Sequence, residues 1–243
     1  VGSFVSHFIC VSAYFDLYPQ YANDEEVVFY FDEIHIIDGW EKFIRRLLDK
    51  EKMSLFVTGS SAKMLSKEIA TNLRGRATAT EVFPFSFSEY LHFHKVPDDL
   101  AGSSKNKSLI RNHCQNYLRF GGFPETLYIP SDQHRDLLQE YVNAVIFRDV
   151  VDRYQISNTH VVKLFLIHCL QNLSSPLSIT KIYHALKSNG ATVGKNSLYE
   201  YLDYFEEAYL LFAVPIYNLS LRKRQVNPKK IYSIDPGILQ AYS

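Results

Sequence analysis

The sequence has no excess of charge of either sign, with 26 Lys and Arg against 26 Asp and Glu. That balance argues against a uniformly basic nucleic-acid binder and leaves only local patches to consider. It also lacks long apolar runs. The stretches at 27–31 and 208–214 are far too short to cross a bilayer, so no membrane-spanning segment is expected. No basic-then-apolar leader opens the chain, and Val1 in place of methionine reads as the mark of a fragment. Cysteine is scarce. Cys10, Cys114 and Cys169 are odd in number and lack metal-ligand spacing, which predicts reduced thiols in a cytoplasmic protein. Internal repeats and low-complexity tracts are absent too. What is present is an ordinary globular composition: 47% hydrophobic and 21% charged residues over 243 positions exclude wholesale disorder. The length is ample for a core, in one large domain or two small ones.

Three regions differ in texture. Residues 1–93 alternate short apolar runs with amphipathic segments, the pattern of an α/β layer with a parallel sheet. The run VVFYF at 27–31, bounded by acids, suits a strand buried on both faces. Asp38 and Glu41 have capping-box spacing, and Trp40, Phe43, Ile44, Leu47 and Leu48 then form one helical face. Apolar runs at 55–57 and 81–83 predict two more strands. Residues 94–156 read as a helical linker, with a loop over 97–107 and helices on either side of Gly121-Gly-Phe-Pro124. From 157 to 243 the pattern is a nearly all-apolar helix at 161–170, a helix capped by Ser178, and a third helix with Leu198, Tyr201, Leu202 and Phe205 inward. Two β-like runs then flank a basic loop. Three helices and a hairpin predict a winged helix-turn-helix.

Chemistry concentrates at the end of the first apolar run. In phosphoryl-transfer sites an acid at a strand's C-terminal tip holds hydrated magnesium, and the next acid polarises water. Asp32 and Glu33 fit those roles. A second strand then ends in Thr58-Gly-Ser-Ser61, a turn whose polar residues suit sensing a phosphate or orienting water from a neighbouring strand. Arg74 and Arg76 flank a glycine, an arrangement that brings guanidinium groups close to an anion.

Taken together, the segments at 31–49 (FDEIHIIDGWEKFIRRLLD), 55–91, 121–125 (GGFPE), 147–154 (FRDVVDRY), 196–211 and 231–237 (IYSIDPG) resemble the prokaryotic AAA+-superfamily ATPases of the archaeal-ATPase type. The resemblance implies an incomplete P-loop sheet, a helical linker and a winged helix, in a family that often ends in a nuclease-like domain. It implies ATP and Mg2+ as substrate and cofactor, and Walker B acids at Asp32 and Glu33. It further implies a sensor at Thr58 or Ser60 and an arginine finger at Arg74 or Arg76. The chain contains no G-x-x-x-x-G-K-[ST] loop, so the Walker A element is expected to be missing and the chain inactive alone. In the family's sheet the P-loop strand lies between the sensor strand and 81–83. Without it, 81–83 is expected to collapse onto the sensor strand or detach, with 4–11 supplying a further strand.

Other readings compete with this one. The stretch 190–197 imitates a P-loop, but its glycines are one residue too close and Asn196 stands where Ser or Thr belongs. The box Asp32-Glu-Ile-His35 matches a DExH helicase, yet no second helicase domain or Gln-x-x-Gly-Arg-x-x-Arg segment follows. Outside the enzymes stands a winged-helix module contacting DNA or protein, its ATPase part vestigial. Its candidate contacts are Lys195, Arg222, Lys223, Arg224, Lys229 and Lys230. Against DNA, the third helix is expected to show Tyr199, Glu200, Asp203, Glu206 and Glu207 outward, and carboxylates repel phosphates.

Overall fold

The computed structural model describes residues 27–34, 37, 39–50, 53–60, 77–97, 102–220, 222, 224 and 227–242. Two compact units, 1–81 and 82–243, divide the chain.

In the N-terminal unit, β1 (Val27–Phe31) pairs in parallel with β2 (Met53–Val57), in a register that sets Phe31 opposite Val57. The crossover between them carries α1 (Trp40–Lys50). Side chains alternate across a strand, so Phe29, Phe31, Leu55 and Val57 share one face, and α1 covers it with Trp40, Phe43, Ile44 and Leu47. Each of these fully buried side chains is worth about 1.5–3 kcal/mol. The opposite face departs from the expectation of two-sided burial. Tyr30 is 74% exposed there, and its ring stacks on Phe56 at 5.0 Å. The predicted capping box at Asp38 and the strand at 4–11 lie outside the described residues. No strand forms at 81–83. That expectation is corrected: the Phe83 ring packs edge-on against Tyr209 and Phe212.

The C-terminal unit is mostly helical. It opens with α2 (Phe87–Phe93), fixed by a reciprocal capping box between Ser86 and Glu89. Next comes α3 (Ser104–Phe120), whose N-cap Ser103 starts the helix inside the segment expected to be loop through 107. A 3-10 turn (Pro124–Tyr128) leads to α4 (His134–Val145), which continues as a π-helical turn (Ile146–Asp152). Then follow α5 (Thr159–Gln171), α6 (Ile179–Ser188) and α7 (Lys195–Glu207). An antiparallel pair, β3 (Leu211–Val214) and β4 (Lys230–Ser233), and the short α8 (Pro236–Ala241) complete the unit.

One core unites these elements. It runs from Val142 and Ile146 on α4 through Phe165, Leu166 and Leu170 on α5 to Leu198, Phe205, Leu211, Ile231 and Ile238. Residues 134–152, expected to belong to a linker, contribute to the same core as the helices after 157. The helix at 161–170 is central as anticipated, with Phe165 and Leu166 essentially inaccessible.

Candidate functional site

The parallel register brings two polar strand ends side by side. Phe31 lies opposite Val57, so the next residues, Asp32 and Thr58, emerge together at the carboxyl edge of the sheet. The backbone locks this corner. Thr58 N–H donates to the Phe31 carbonyl at 2.9 Å, and Ile34 N–H donates to the Thr58 carbonyl at 3.3 Å. The Thr58 hydroxyl then does two things: it donates to Asp32 Oδ1 and accepts from Glu33 N–H at 3.0 Å. Glu33 adopts a left-handed backbone, φ 51°, which costs a non-glycine residue about 1–3 kcal/mol. The hydrogen bond from its own N–H to Thr58 helps hold that turn.

Chemically, the corner offers oxygen donors only. Such a set suits a hard cation of the magnesium type. Among the described residues no group of three or more His, Cys, Asp or Glu side chains converges on a metal-sized space. An ion at Asp32 would therefore complete its shell with water and ligand oxygens, which is how magnesium is usually held. Of the two residues left open as a phosphate sensor, Thr58 is the one bonded to Asp32. Ser60 lies at a bend three residues beyond the last residue of β2. Arg74 and Arg76 lie outside the described residues. The equal offset between Asp32 and Thr58 along the two strands was the signal in the sequence for this pairing.

The basic residues fall elsewhere, all in the C-terminal unit. Lys195 opens α7 and is exposed, as are Arg222, Arg224 and Lys230. Lys229 is half-buried, its carbonyl accepting from Leu177 N–H at 2.9 Å, and Lys223 lies outside the described residues. Apolar side chains accompany them: Tyr217 is 81% exposed and Leu219 90%. On α7 the expected inward set, Leu198, Tyr201, Leu202 and Phe205, is buried, and Tyr199, Glu200 and Asp203 are exposed. Glu206 and Glu207 depart from the expected outer face. Glu206 accepts from Ala213 N–H at 2.9 Å, and Glu207 accepts from the Tyr154 hydroxyl, whose pKa is pushed up by burial and then by that carboxylate.

The remaining distinctive segments are joints of the fold. Asp235 is buried, and its carboxylate accepts from Gly122 N–H at 2.6 Å and Gly237 N–H at 2.7 Å, tying 121–125 to 231–237. Burial raises its pKa above the usual carboxylate value, against the pull of those N–H groups and that of Ile238. Gly121 is required here. Its φ is +82°, and a Cβ would stand 1.9 Å from Asp235 Oδ1. In the same way Tyr154 of the 147–154 segment stacks on Tyr204 of α7 at 3.5 Å.

Comparison with known proteins adds a family context. Residues 111–243, more than half of the chain, match the family described as a domain of unknown function (DUF8612), and residues 7–91 match the one described as an AAA domain. The chain is 37% identical over 207 residues to the uncharacterized protein MJ1544 of Methanocaldococcus jannaschii, covering 85% of this chain and 46% of that protein. It is 25% identical over 217 residues to an uncharacterized protein of Haemophilus influenzae, covering 89% and 52%. The chain thus spans about half the length of the curated relatives it matches. The AAA-type match covers Asp32, Glu33, Thr58 and Ser60. No described helix is long and apolar enough to cross a membrane.

Proposed function

We propose a function for a chain that belongs to the family described as domain of unknown function (DUF8612) and carries an AAA domain ahead of it: nucleotide binding and hydrolysis of the archaeal-ATPase type. In this reading Asp32 and Glu33 are the Walker B acids. Asp32 would hold hydrated Mg2+, oriented by the Thr58 hydroxyl, and Glu33 would orient the attacking water and draw off its proton. Thr58, through its hydroxyl, couples the state of the second strand end to Asp32, the role of a sensor, with Ser60 beside it. Arg74 and Arg76 remain the arginine-finger candidates. Bound magnesium would neutralise phosphate charge. The observation that carries the reading is the Thr58 hydroxyl donating to Asp32 at adjacent parallel strand ends, with Glu33 next in sequence, inside the AAA match.

The 243 residues contain no G-x-x-x-x-G-K-[ST] loop, and backbone amides plus the lysine of that loop supply most phosphate binding in such enzymes. We therefore expect the purified chain with Mg-ATP to release no phosphate above a blank. Magnesium-dependent turnover that Glu33→Gln abolishes would overturn the inactivity and keep the acids in their roles. Turnover indifferent to Glu33→Gln would remove Glu33 from its role.

A second reading concerns the C-terminal unit as a winged helix-turn-helix that contacts DNA or protein. The three helices, the β3–β4 hairpin and the exposed Arg222, Arg224 and Lys230 support it. The exposed Glu200 and Asp203 on α7 disfavour a DNA groove and favour a protein partner. Salt-dependent duplex binding by the whole chain, weakened by neutralising those three cations, would restore the DNA option.

A further inference from the structure

We propose that His94 and His113 of the C-terminal unit form a two-histidine site for a transition-metal ion of the Zn2+ type, separate from the acids of the N-terminal unit. The two ring centroids lie 5.1 Å apart. An imidazole nitrogen binds zinc at about 2.0–2.1 Å, which puts the metal about 3.2 Å from the ring centroid, and a tetrahedral angle then sets two such centroids about 5.2 Å apart. The observed spacing is therefore the one a chelating pair needs.

The backbone presets the pair. Helix α2 ends in a Schellman turn: Lys95 is left-handed, φ 55°, its N–H donates to the His92 carbonyl at 2.9 Å, and Val96 N–H donates to the Leu91 carbonyl at 2.9 Å. That turn fixes His94 at the helix end. Leu91 and Val96 then bury with Ile110 of α3 in a small core of their own. His113 lies three residues beyond Ile110, on the same face of α3, so the packing that joins the helices also joins the histidines. Buried Tyr90 backs both rings, its centroid 4.5 Å from that of His94 and 6.0 Å from that of His113.

The donors select the ion. His113 Nδ1 is buried and has no hydrogen-bond partner. With the ring proton on Nε2, that nitrogen holds a lone pair with no donor to meet it, an unfavourable state that a coordinated cation relieves. His94 is exposed, so its ring can turn about its Cβ–Cγ bond to present a nitrogen to the same ion. Among the described residues no group of three or more His, Cys, Asp or Glu side chains could hold a metal, so water fills the remaining positions. Imidazole ligands without a carboxylate favour Zn2+, Cu2+ or Ni2+ over Mg2+ or Ca2+. A bound ion would tie α2 to α3 across the small core of Leu91, Val96 and Ile110, and stabilise the folded chain by mass action.

The test is NMR of the imidazole C–H resonances of the full, untagged chain, stripped with EDTA, dialysed, and titrated with Zn2+ at about pH 7.5 in excess Mg2+. Saturable shifts of the His94 and His113 rings at one ion per chain are expected, and the urea midpoint should rise with Zn2+ concentration. His94→Ala, at an exposed position, and His113→Gln should each weaken Zn2+ binding at least about tenfold, because losing either ring loses the intramolecular second ligand. His92→Ala, exposed and two residues from His94, should bind Zn2+ as before. So should Asp32→Asn, which separates this site from the corner of the N-terminal unit. Zn2+ affinity unaltered in both His94→Ala and His113→Gln, or shifts centred on other histidines, would overturn the proposal.

Discussion

Asp235 shows how much of this fold hangs on one side chain. Three backbone N–H groups converge on its buried carboxylate, so Asp235→Ala strands several buried donors at once. Unfolding of the chain by urea should show a loss of about 2–4 kcal/mol, with a milder loss for Asp235→Asn, which keeps one acceptor oxygen. Unchanged stability in both would contradict the joint. Such a role was illegible in the sequence, where 121–125 and 231–237 stood out as separate family-like segments. Their meeting depends on the packing of α3 and α8, which no local pattern encodes. Asp32 and Thr58 were more legible. Each follows a short apolar run, and the parallel register needs only equal offsets to set them together.

At the level of elements, helices with a strong apolar stripe were read well, because periodicity reports directly on which face is buried. The inward set of α7 is the clearest case. Its last turn was misread: Glu206 and Glu207 have helix-surface spacing but are drawn inward by Ala213 N–H and the Tyr154 hydroxyl. The run at 81–83 was misread as a strand because three apolar-leaning residues carry no information about a pairing partner. The α2–α3 pair carries a pH response. His94 packs against Tyr90 at 4.5 Å and faces His113 of α3 at 5.1 Å, and partial burial, then the charge of His113, hold its pKa below the ordinary 6.5. A folded state with the lower value binds fewer protons than the unfolded chain. Its stabilising contribution is therefore complete above about pH 6.5 and is lost as pH falls through the folded value. Urea midpoints should drop between about pH 7 and pH 5, and His94→Gln should flatten that drop. A slope the substitution leaves intact would contradict the assignment.

For the whole molecule, composition indicated a globular chain and the apolar patterning of its first part an α/β layer; the described residues hold a small parallel sheet with one helix-covered face, and a helical unit that includes an antiparallel pair. The division at 81/82 was not legible. The boundary falls in a segment without Gly or Pro runs, and the helices at 134–152 belong to the later core through Val142, Ile146 and Val150. The proposal for the N-terminal unit is that the strand ends at Asp32 and Thr58 form a metal-binding corner. It is tested most directly by paramagnetic broadening of assigned amide resonances as Mn2+, standing in for Mg2+, is added. Broadening centred on the amides of Asp32, Glu33, Thr58 and Gly59, and lost in Asp32→Asn, is expected. Broadening that is absent there at millimolar-order Mn2+, or that persists unchanged in Asp32→Asn, would contradict it.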